Sequence, residues 1–355
     1  MSHVLLVGTA VSRKNSVGTL YRAASDGDWN PVEGIPLDTG VQAITPHPVR
    51  EGVVYAATCS GIYKSKDGGQ RWNRLHIPDA EGKEFWSLSV HPKKPDTLFA
   101  GCSPVGVYRS DDGGETWTFC GEPEAYAERI EGLPWRTASS RVMRIVFDAS
   151  NPDLMFGAVE INGFILSEDG GRTWRDASAQ LIKLADQPRL KNHIVSKHDF
   201  EGMIDGHAVC TTPAAPGSVF YACRTGLFAT DDLGRSWRSL NVGNYAPIDY
   251  GRDVWLALDD PNTIYTALSL HSRAEGDSVG AIYRSTDLGK SWERADKGVS
   301  PRSTVMGMRV HATDPDKVID VTRGGQVFWT VDHCRSWREA QLPANAGDAY
   351  CAAIL

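Results

Sequence analysis

The sequence predicts an all-β fold, a seven-bladed β-propeller of four-stranded antiparallel blades. Three observations carry that expectation. A short box recurs seven times, alternating apolar segments precede its copies, and the two chain ends read as parts of one blade.

The box has the form Ser/Thr-x-Asp-x-Gly-x-Thr/Ser-Trp. It occurs as SKDGGQRW (65–72, with Arg71 at the hydroxyl position), SDDGGETW (110–117), SEDGGRTW (167–174), TDDLGRSW (230–237) and STDLGKSW (285–292). A sixth copy, TVDHCRSW (330–337), has Cys334 where the glycine belongs, and a shortened one, ASDGDW, ends at Trp29. The closing tryptophans lie 43 to 63 residues apart, the spacing of propeller blades with insertions.

Upstream of the boxes come segments such as VVYAATCSGIYKS and TLFAGCSPVGVYRS, and before those VQAITPHP and WSLSVHPKKP. Each unit therefore reads strand, turn, strand, turn, strand, box, strand. SHVLLVGTAV fits a second strand and the terminal AYCAAIL a first strand, so the ends are expected to pair within one blade and remove the open edges of the ring. The whole of 1–355 is expected to be one propeller domain, with insertions at about 121–138, 176–206, 241–251 and 269–280.

Although the box carries carboxylates and glycines, it reads as a folding device. Asp112 can accept backbone N–H groups within its own turn, Gly114 can take the positive φ that closing the turn demands, and Trp117 covers it. The later bidentate Glu of a calcium loop is missing.

The net charge of −7, with no run of Lys or Arg, argues against a nucleic-acid or anionic-lipid surface. No segment approaches the ~20 apolar residues of a membrane span, and MSHVLLVGTAVSRKN reads as a strand and not a secretion signal. Seven cysteines, Cys59, Cys102, Cys120, Cys210, Cys223, Cys334 and Cys351, include no CxxC pair; reduced thiols and a cytoplasmic location are expected.

The boxes resemble the Asp-box, or bacterial neuraminidase repeat, of a sialidase and glycosyl-hydrolase-like superfamily. That repeat occurs in sialidases, xyloglucan-active glycosidases, sortilin-type receptors and photosystem II assembly factors. The resemblance implies a propeller but not a particular activity. Sialidases of this kind carry an Arg-Ile-Pro motif and six blades; the motif is absent and seven boxes are present, so a true sialidase is not expected.

Loops joining first to second strands are short, and His47, His91 and His311 in them read as turn residues. The long insertions share the opposite face over blades four to six, which is where a rigid ring places function. From first-strand starts and second-to-third-strand loops on that face we select His207, His271, Glu160 and Asp253 as acid/base candidates. Arg141, Arg144, Arg224, Arg252, Arg323, Trp135 and Tyr250 are the substrate-contact candidates. His207, His271 and Glu160 are also candidate ligands for a divalent metal (Ca, Zn or Mn), with His193, His198, Asp199, Glu201 and Asp205 as further donors. The expected function is a hydrolase or lyase on a small polar or anionic, sugar-like substrate. The alternative is a non-catalytic platform for protein binding or complex assembly, and the oligomeric state is open.

Overall fold

In a computed structural model, residues 3–122, 140–194, 197–242 and 248–355 are described. Their strands form seven four-stranded antiparallel sheets. Blade two shows the common plan. Its inner strand Val41–Pro46 pairs with Val54–Thr58, which pairs with Gly61–Ser65, which pairs with the outer Asn73–Arg74.

Closure follows the expectation from the chain ends. Asp348–Ile354 is the inner strand of blade one and pairs antiparallel with Val4–Ala10, so the last residues and the first share one sheet. Both faces of a blade are apolar because each packs on a neighbour. One buried cluster joins Ala208, Phe220 and Ala229 of blade five to Val254, Ile264 and Ala281 of blade six. Another joins Ile319, Val321 and Val327 of blade seven to Leu5, Ala349 and Ala352 of blade one.

The boxes fold as turns before the outer strands. In the copy at 110–117, Ser110 Oγ donates to Asp112 Oδ1 (2.8 Å) and accepts from the Gly114 amide (2.9 Å). Asp112 in turn accepts from the Thr116 amide (2.9 Å) and hydroxyl (2.5 Å), and Trp117 Nε1 donates to the Gly114 carbonyl (3.0 Å). The sixth copy keeps the hydroxyl and carboxylate part of this pattern without glycine, Cys334 adopting φ 60° with its amide 3.2 Å from Thr330 Oγ1, but its Trp337 Nε1 donates instead to the Ala295 carbonyl at 2.8 Å.

On the opposite rim the three turn histidines act as acceptors, as expected. The Nδ1 atoms of His47, His91 and His311 each accept two amides of the following turn at 2.9 to 3.2 Å. Asp148 does the same in blade four.

The insertion before blade five folds into short helical turns, Ala179–Ile182, Lys183–Asp186, Pro188–Leu190 and Glu201–Ile204. Leu181, Ala185, Leu190 and Met203 bury against blades four and five. Most of the insertion expected at 121–138 and part of that at 241–251 lie outside the described residues.

Candidate functional site

The inner strands are not regular. In blades two to six the pairing with the second strand skips one residue near the strand start, leaving Gln42, Trp86, Met143, His207 and Arg252 unpaired. In blade one the same step leaves Tyr350. Such a bulge re-aims one side chain and is a recurrent device beside functional sites. All six side chains line a central channel of about 520 Å³, and together they ring its mouth on the insertion-bearing face. The rings of Trp86 and Tyr350, from blades three and one, meet edge to face across this mouth at 6.4 Å.

His207 is the histidine of the ring and is buried, 4% exposed. Its Nδ1 lies 2.7 Å from the Gly251 carbonyl; a carbonyl can only accept, so Nδ1 carries the proton and donates. Nε2 lies 3.3 Å from the Tyr250 hydroxyl and 3.5 Å from Asp205 Oδ2. Burial pushes the Tyr250 hydroxyl up to about 12, which keeps it a neutral proton donor.

Asp205 sits immediately after the helical turn Glu201–Ile204 and accepts from Arg224 Nε at 2.7 Å. Burial alone would raise its carboxyl; the positive charge that the facing His207 ring carries when protonated, together with the Arg224 guanidinium, outweighs that and holds it below the ordinary carboxylate range. Glu160 and Arg141 are cross-strand partners in blade four, joined at 2.8 Å, and the Arg141 guanidinium lies 4.1 Å over the Trp86 ring. Arg224 extends over Tyr250 at 5.5 Å, and Arg252 donates to the Met306 carbonyl at 3.3 Å. Arg141 and Arg224 are thus each paired with a carboxylate, Arg252 bonds a carbonyl, and Glu84 adds a third carboxylate beside the mouth by accepting from Trp86 Nε1 at 3.3 Å.

The box at 108–119 matches the model of the BNR/Asp-box repeat, and 280–352 match that of Sortilin-Vps10 (sortilin, neurotensin receptor 3). The chain is a seven-bladed β-propeller that carries the BNR/Asp-box repeat. No curated protein matches this propeller. Among solved structures it is similar to the GH74 enzyme of Niastella koreensis (TM-score 0.60, 16% identity, 85% of this chain and 45% of that one). It is also similar to the GH74 xyloglucanase of Xanthomonas campestris (TM-score 0.60, 18% identity, 84% and 45%). A third similarity is to YCF48 from Cyanidioschyzon merolae (TM-score 0.55, 13% identity, 87% of each chain). The BNR propeller therefore spans less than half the length of the two glycosidases. At these identities the likeness is one of fold.

Of the residues selected from sequence, the propeller brings together His207, Glu160, Arg141, Arg224 and Tyr250, and places Arg252 on the same ring. Arg144 and Asp253 instead pair with each other at 2.6 Å, from blades four and six, along the channel wall. Asp253 also accepts the amides of Val254 (2.8 Å) and Met308 (3.1 Å), so both its oxygens are engaged in tying blades together. His271 is exposed in the blade-six insertion, where Nδ1 accepts the Arg273 amide at 3.4 Å. Arg323 lies at the seam of blades seven and one, 3.4 Å from Asp348. Trp135 falls outside the described residues. In the outer insertion His193 is exposed and pairs with Asp199 at 2.7 Å.

Among the described residues one group of donors fits a metal: Glu160, Asp205 and His207, with ligand atoms within 4.8 Å of one another. Asp205 replaces the expected His271. The His207 Nδ1–H to a backbone carbonyl is the outer contact that ligating histidines use. Arg141 and Arg224 already neutralise the two carboxylates, however, so an added dication would leave the group strongly positive.

Proposed function

We propose that the chain is a hydrolase or lyase acting on a small, anionic, sugar-like substrate at the channel mouth. The observation that carries this reading is His207, whose Nδ1–H is fixed by Gly251 while Nε2 faces Tyr250 and Asp205. A neutral imidazole held in one tautomer presents a single basic nitrogen, and the Asp205 carboxylate stabilises the imidazolium formed once it takes a proton. The same base serves hydrolysis, by deprotonating an attacking water, or elimination, by removing a carbon-bound proton beside a carboxylate. Tyr250 is placed to return a proton to the leaving oxygen.

The remaining groups supply binding. Arg252, which bonds a carbonyl and not a carboxylate, is the guanidinium at the mouth left to meet an anion, and an Arg fork suits carboxylate oxygens. Trp86 and Tyr350 offer aromatic surface for a sugar ring. No step here requires a metal; if one binds, Glu160, Asp205 and His207 would hold it and it would polarise a substrate oxygen.

Turnover of a panel of uronate-containing oligosaccharides and small carboxylate esters by wild type and His207→Gln tests this. The expected result is turnover of at least one member, with kcat lowered by roughly 10²- to 10⁴-fold in the variant. No turnover by the wild type would favour a non-catalytic platform for protein binding or assembly, and equal rates in the two proteins would remove His207 from the reaction.

A further inference from the structure

Below the mouth the channel changes character. Its wall is built from Ile44, Leu88, Val90, Ile145 and Val209, and on this apolar ground stand two guanidiniums and one carboxylate. Arg144 donates to Asp253 at 2.6 Å and to the Val254 carbonyl at 3.1 Å. Its guanidinium lies 4.2 Å over the Trp255 ring, and that of Arg309, on the inner strand of blade seven, lies 4.9 Å over the same ring. Arg309 has no hydrogen-bonded or ion-pair partner of its own among the described residues. Trp255 Nε1 is buried and likewise unpartnered.

A guanidinium in apolar surroundings without a counter-charge is costly, and so is a buried indole N–H without an acceptor. Burial, reinforced by the neighbouring Arg144, pulls the Arg309 guanidinium down to about 10, as an uncompensated cation requires. An external carboxylate in the channel would supply the missing counter-charge, its oxygens accepting from the Arg309 guanidinium above the Trp255 ring. The rest of the ligand would then lie along the aliphatic wall, towards a far rim formed by Pro48, Pro92, Pro213 and Leu258.

We propose that the channel is a second binding site, for a monocarboxylate with an apolar chain, whose head group pairs with Arg309 beside Trp255. The site does not depend on chemistry at His207. It would hold an effector or product-like ligand beneath the mouth, in the deeper part of the same 520 Å³ channel.

Calorimetric titration with hexanoate and with 1-hexanol tests this on wild type, Arg309→Gln and His207→Gln. For wild type the expected result is hexanoate binding about tenfold or more tighter than the alcohol, the scale of a charge-assisted contact. Arg309→Gln should lose that preference, and His207→Gln should keep it whether or not turnover survives. Hexanoate and hexanol binding alike to wild type, no binding of hexanoate, or a preference lost with His207 and kept without Arg309 would each overturn the proposal. The wild-type comparison decides the matter even if Arg309→Gln does not fold.

Discussion

Asp112 shows what one box residue contributes. The Thr116 hydroxyl and amide, followed by the Ser110 hydroxyl, hold its carboxyl at about 2 instead of 3.8. A carboxyl lowered in the folded state adds stability above its unfolded value and loses that contribution as the pH falls through its folded one. The stability gap between wild type and Asp112→Asn should therefore be full above pH 4 and shrink towards pH 2, as read from urea midpoints at each pH. Gly114 is constrained more directly: it adopts φ 94°, and a Cβ there would meet Leu75 Cδ1 at 2.8 Å. Gly114→Ala should lower stability by about 1 to 2 kcal/mol or more, measurable in the same titration. These roles were legible in the sequence, because seven copies of one pattern point to a turn and not to a single site.

At the scale of elements, the bulge in the inner strands of blades one to six matters most. It turns Gln42, Trp86, Met143, His207 and Arg252 into one ring, although nothing in their residue types marks them as equivalent. A positional signal does exist: Gln42, Trp86, Met143 and His207 each stand five residues before the polar turn residue His47, His91, Asp148 or Thr212. Read that way, Trp86 and Gln42 would have joined His207 and Arg252 as candidates. Asp253 and His271 misled for different reasons. Asp253 follows the bulge and turns to Arg144, whereas His271 belongs to an insertion whose path is not fixed by strand register. Asp205 is the partner that His207 gains. Asp205→Asn removes a charge-assisted bond to Arg224 and should cost about 1.5 to 3 kcal/mol in chemical denaturation, with loss of any turnover that depends on His207.

The whole molecule is a ring held by its ends. Asp348–Ile354 supplies the inner strand of blade one and, through Ala349, Ala352 and Ile354, part of the cluster shared with blade seven. Ending the chain at Gly347 should expose the edge of Val4–Ala10 and abolish the cooperative thermal transition, as followed by circular dichroism. Blade number and closure could both be read from the repeat. The convergence on His207 could not, because it depends on which side chains from different blades meet across the axis.

That convergence is tested most directly by following the ring nitrogens of His207 by 15N NMR, with the resonance identified through His207→Gln, while galacturonate is added. A signal for Nδ1 in its protonated, hydrogen-bonded form, with Nε2 shifting on addition, is the predicted result. A His207 ring whose proton rests on Nε2, or whose Nε2 does not respond to the anion, would contradict the account.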